Sequence, residues 1–172
     1  MMLLRQFSYL VLGITMFCCF NSSAAFGRTG GNLGLGIILF EPTGITFKNY
    51  VSPLNAWDGA LGWDIDDYLY VHADYLLHKK DVFREKAAAM SLHYGVGGRF
   101  IHRDDDRKNG KGAKANDDDD DNIVGARVPF GLDFTFDDMP LEIFAELALT
   151  LDILPETDFD LGIALGGRYF FK

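Results

Sequence analysis

Phe159-Asp160-Leu161-Gly162-Ile163-Ala164-Leu165-Gly166-Gly167-Arg168-Tyr169-Phe170-Phe171 decides the fold of this chain. Successive side chains of a strand point to opposite faces. Phe159, Leu161, Ile163, Leu165, Tyr169 and Phe171 therefore share one face, and Asp160, Gly162, Ala164, Gly166 and Arg168 share the other. One face is apolar and ends in aromatics; the other is small or charged. A strand of this length spans a bilayer, and this polarity suits lipid outside and a polar lumen inside. It reads as the closing strand of a transmembrane β-barrel.

Seven earlier segments carry the same rhythm: Gly31 to Phe40, Gly44 to Val51, Ala56 to Asp64, Tyr68 to His78, Met90 to Phe100, Ile123 to Phe136, and Leu141 to Leu151. Glu41-Pro42-Thr43-Gly44, Ser52-Pro53-Leu54-Asn55 and Leu154-Pro155-Glu156 supply turn chemistry between them. Lys79 to Ala89 reads as a longer connection with room for a short helix. Residues 101–122 lose all alternation and form a long charged loop. The expected fold is all-β: an eight-stranded antiparallel up-and-down transmembrane barrel. With both termini in the periplasm, the connection after the fifth strand is extracellular, and it is the longest and most charged. Trp57, Tyr75, Phe134, Phe136, Tyr169 and Phe171 then form the aromatic girdle at the periplasmic interface.

The same alternation occurs in soluble barrels, but there the apolar side chains point inward and the exterior is rich in solvated polar groups. Here the face opposite the apolar one holds glycines and isolated charges. That makes a poor solvated exterior and a suitable crowded lumen.

Residues 1–25 read as a cleaved signal peptide: Arg5, an apolar run from Phe7 to Phe20, then Asn21-Ser22-Ser23-Ala24-Ala25. Residues 26–172, about 147 in number, form the barrel domain. Cys18 and Cys19 both fall in the signal, so the mature chain offers no disulfide or thiolate ligand. The full chain has 16 basic and 25 acidic residues and a net charge of −9. Without Arg5 it becomes more acidic still, which argues against nucleic acid as a partner.

Candidate chemistry concentrates in the lumen. Lys48, Asp74, Arg99, Arg127, Glu142, Glu146 and Arg168 are expected there as a charge network. A barrel of this size is filled by its own side chains, so buried charges must be paired. Arg127 is expected to meet Glu142 or Glu146, and Arg168 to meet Glu146. His72-Ala73-Asp74, with His93 on the next strand, lacks a tight third ligand, so no metal or other cofactor is expected. The loop carries Asp104, Asp105, Asp106, Asp117, Asp118, Asp119, Asp120 and Asp121. Without the glycine and glutamate spacing of an EF-hand, it reads as a solvated surface loop that can contact an extracellular ligand.

The mature chain resembles the small eight-stranded outer-membrane barrels, the OmpA transmembrane-domain-like group. More narrowly it resembles an uncharacterised family of bacterial outer-membrane proteins. The likeness rests on Gly36-Ile37-Ile38-Leu39 to Glu41-Pro42-Thr43-Gly44, Leu76-Leu77-His78, Gly95-Val96-Gly97-Gly98-Arg99, Arg127-Val128-Pro129-Phe130-Gly131 and Gly167-Arg168-Tyr169-Phe170-Phe171. It implies an outer-membrane location in a Gram-negative cell. It also implies contact with outer-membrane lipid and lipopolysaccharide, insertion by the barrel-assembly machinery, and a monomer. Chains of this class usually end on an aromatic residue read by that machinery; here Lys172 follows Phe171.

The enzymes of this architecture that act on lipid A use serine and histidine with an acidic partner. The mature chain has only Ser52, in a turn, and Ser91, on the lumen face, so no enzyme is expected. The expected role is structural or surface-interacting, with the lumen filled by charge. The alternative is a narrow channel for ions or small solutes.

Overall fold

The computed structural model describes residues 30–64, 68–85, 88–103 and 121–172. The strands are β1 (Leu33–Phe40), β2 (Gly44–Tyr50), β3 (Asn55–Asp64), β4 (Tyr68–Arg84), β5 (Ala88–Arg103), β6 (Asp121–Phe136), β7 (Leu141–Leu154) and β8 (Asp158–Phe171). They pair in chain order, and β8 returns to β1, closing the barrel. All pairings are antiparallel; closure runs from Leu33 opposite Phe171 to Phe40 opposite Ala164. Full closure removes every central sheet edge, the requirement for β-structure in a medium without water.

The signal peptide, residues 1–25, lies outside the described residues. The connection from Lys79 to Ala89 differs from expectation. β4 runs on to Arg84 and β5 starts at Ala88, so a long β-hairpin stands where a helix-bearing loop was expected. Phe83 pairs with Met90 and Arg84 with Ala89, after a register shift between Lys79 and Phe83. The helical signal of the alanine run yields to pairing, because β6 supports this part of β5 through Ala88 opposite Phe136. The hairpin also removes the long periplasmic connection that the expected topology carried.

The charged loop is likewise shorter than 101–122. Ile101 pairs with Ile123, His102 with Asn122 and Arg103 with Asp121, so both its ends continue the ladder. Asp104, Asp105, Asp106, Asp117, Asp118, Asp119 and Asp120 lie outside the described residues.

The distribution of polarity is inverted relative to a water-soluble protein. Leu35, Ile37, Val96, Leu149 and Ile163 are all exposed on the exterior, Val96 by 64%. Lys48, Asp133 and Glu142 are 0% exposed, Arg168 1% and Arg127 2%. The apolar face points out and the charged face in. At the end carrying the termini, Trp57 packs edge-on against Tyr75 and Tyr169 against Phe171.

Two small apolar clusters interrupt the polar interior: Tyr50, Ala56 and Phe170 near the terminal end, and Ile38, Ala60, Phe144 and Ala164 along one wall. Phe144 fits because its register partner is Gly166. A Cβ at 166 would meet the Phe144 ring and the Ile37 carbonyl. Gly166→Ala should therefore destabilise the barrel by about 1–3 kcal/mol through overpacking. Urea unfolding in lipid vesicles checks this; a variant as stable as the parent would show that Phe144 is free to move.

Candidate functional site

The lumen is built by parity. Even-numbered residues of β2, β3, β4, β7 and β8 and odd-numbered residues of β5 and β6 point inward. Seven strands thereby aim ionisable groups at a common axis. On β2, Lys48 stands between two carboxylates: its ammonium donates to Asp133 Oδ1 at 2.9 Å and to Glu142 Oε1 at 3.0 Å. These contacts cross the barrel rather than following a neighbouring strand.

Arg168 reaches the same Glu142 Oε1 at 3.2 Å and Asp58 Oδ2 at 2.7 Å. Its Nη2 also donates to Thr46 Oγ1 at 2.9 Å, and its guanidinium lies 3.8 Å from the centre of the Phe144 ring. Thr46 passes its own proton to the Gly59 carbonyl at 2.9 Å. The partner expected for Arg168 was Glu146; Asp58 and Glu142 hold it instead. Glu142 is its register partner across β7–β8, whereas Glu146 stands opposite Ala164 on the same pair.

Glu146 belongs to Arg127, whose Nη2 donates to Glu146 Oε1. Arg127 Nη1 lies 3.4 Å from Asp74 Oδ2. His93 joins the two halves, with Nδ1 at 2.9 Å from Asp133 Oδ2 and Nε2 at 3.1 Å from Glu146 Oε2. The ion pairs thus run unbroken from Asp58 through Arg168, Glu142, Lys48, Asp133, His93, Glu146 and Arg127 to Asp74.

Arg99 stands apart, near the loop end. It grips Asp152 with Nε at 3.0 Å and Nη2 at 2.6 Å, and its Nη1 reaches Asp160. The bidentate geometry is the favoured arrangement of guanidinium and carboxylate. Above it opens a cavity of about 390 Å³, lined among others by Glu41, Tyr70, Arg99, Arg127, Asp152 and Asp160.

Of the seven residues expected in the lumen network, Lys48, Asp74, Arg127, Glu142, Glu146 and Arg168 share one connected chain, and Arg99 forms a second cluster. Asp152 was not among the candidates, although it shares the parity of Glu142 and Glu146 on β7. His93 was grouped with His72 and Asp74. In the barrel it stands opposite His78, while His72 stands opposite Arg99.

No protein-family model and no curated protein matches the chain. Among solved structures, the N-terminal β-barrel domain of Pseudomonas aeruginosa OprF is similar at 14% identity, with a TM-score of 0.39, covering 80% of this chain and 94% of that one.

Proposed function

We propose that this chain is an integral outer-membrane barrel whose lumen is closed by an ionic plug, and that its role is structural or surface-interacting. One observation carries this reading: an exposed apolar exterior encloses charged side chains linked pair to pair across the lumen. An apolar exterior is stable in lipid and a liability in water. Buried charges held by opposite charges leave little free polar surface to carry a solute.

On this reading the working surface is the loop end. The charged connection between β5 and β6 is where we place contacts with lipopolysaccharide or an extracellular ligand. The protein acts as a monomer, delivered by the barrel-assembly machinery. The cavity over Arg99 favours a second reading, a narrow ion channel, because it opens a space bordered by both Arg99 and Arg127.

Planar-bilayer recording separates the two. The refolded wild type is expected to be electrically silent, and Glu146→Gln, which removes a charge from the plug, is expected to raise baseline leak. Discrete, reproducible wild-type openings that change size in Glu146→Gln would establish the channel and defeat the plug.

A further inference from the structure

We propose that His78, His93 and Asp133 form a binding site for one divalent cation of the zinc type inside the lumen. His78 and His93 are register partners across β4–β5, and both point inward. Asp133 enters from β6, opposite Ser91 and next to His93 along the same face. Gly131, the β6 partner of His93, leaves the ring its space: a Cβ there would meet His93 Cε1 and Nε2.

One donor atom from each residue lies within 4.8 Å of the other two. Asp133 Oδ2 is 2.9 Å from His93 Nδ1 and 3.4 Å from His78 Nε2. Ligands bound tetrahedrally at about 2.0–2.1 Å stand roughly 3.3 Å apart, so an ion needs only a small readjustment here. Two imidazoles and a carboxylate suit zinc better than magnesium or calcium, which prefer oxygen shells.

The outer contacts match those of metal-bound imidazoles, which turn the second ring nitrogen toward a carbonyl or carboxylate. His78 Nδ1 is 3.2 Å from the Leu54 carbonyl, and His93 Nε2 is 3.1 Å from Glu146 Oε2. Lys48 occupies Asp133 Oδ1, which presents Oδ2 to the two rings. The Tyr50 hydroxyl, 3.2 Å from His78 Nε2, stands beside the fourth position.

Charge balance points the same way. Among the described residues the buried permanent cations are four, Lys48, Arg99, Arg127 and Arg168, against six buried carboxylates, Asp58, Asp74, Asp133, Glu142, Glu146 and Asp152. A divalent ion would sit at the point where two of these carboxyl groups, Asp133 and Glu146, converge on His93. Tyr50, whose ring lies 5.0 Å from that of His78, packs with Ala56 and Phe170 at the terminal end of the site.

The full chain, refolded from urea into detergent with one equivalent of Co²⁺ or Zn²⁺ and freed of excess metal, tests this. About one ion should be retained per chain, Co²⁺ should show strong visible absorption, and Zn²⁺ should raise the unfolding temperature. Retention should fall by about 10-fold or more in His78→Asn and Asp133→Asn and stay unchanged in His102→Gln. Each variant's folding is read from its gel shift. Should a site variant fail to fold, the wild-type measurement decides alone: a folded wild type that retains no Co²⁺ or Zn²⁺ overturns the site. Equal retention by wild type and a folded His78→Asn would overturn it as well.

Discussion

Arg168→Met should destabilise the folded barrel by about 3–5 kcal/mol, the loss expected when one partner leaves a buried ion pair. The guanidinium is 1% exposed and holds Asp58 and Glu142 together with the Thr46 hydroxyl. Methionine restores much of the volume against Phe144 but leaves Asp58 without a cation in hydrogen-bond contact. Glu142 keeps Lys48 at 3.0 Å, so the damage concentrates at Asp58. A double variant, Arg168→Met with Asp58→Asn, should recover part of the loss, because the buried charge is then gone. Arg99→Met should cost less, since the Asp160 side chain is 42% exposed and water can replace the guanidinium there. Urea titration of vesicle-inserted protein measures all three. An Arg168 variant no weaker than the Arg99 variant would mean that the lumen is hydrated and its pairs carry little stability.

The second large effect is on the outer face. Leu147 lies midway along β7, 47% exposed, between Phe130 on β6 and Ile163 on β8. Leu147→Arg should cost about 2–4 kcal/mol in a bilayer, where a cation at the midplane loses its hydration. Ile153→Arg, near the loop end of the same strand, should cost about 0–1 kcal/mol, because the side chain reaches the interface. Position dependence is the signature of lipid. On a water-exposed barrel both substitutions would be neutral, so equal stabilities would contradict a membrane exterior.

Strand identity and inward parity were legible in the sequence because both follow from a period of two. Leu141, Ile143, Ala145, Leu147, Leu149 and Leu151 alternate with Glu142, Phe144, Glu146, Ala148, Thr150 and Asp152, and the structure preserves that division. Parity alone also places Asp152 in the lumen. Register was not legible. Nothing in the local sequence says that His93 faces His78 rather than His72, since a shift of two residues preserves every face. Cross-barrel contacts were further out of reach: Lys48 and Asp133 are separated by 85 residues and by strands on both sides. The hairpin from Lys79 to Ala89 was obscured because the alanine run carries a helical propensity, which Ala88 and Ala89 give up to pair with β4 and β6.

The central claim is a closed barrel with its apolar face in lipid, and gel mobility of the outer-membrane fraction, boiled against unboiled in detergent, tests it most directly. The protein should be found in that fraction, with the unboiled form migrating at a different position from the boiled one. Recovery from the soluble periplasm with a single band under both conditions would contradict it.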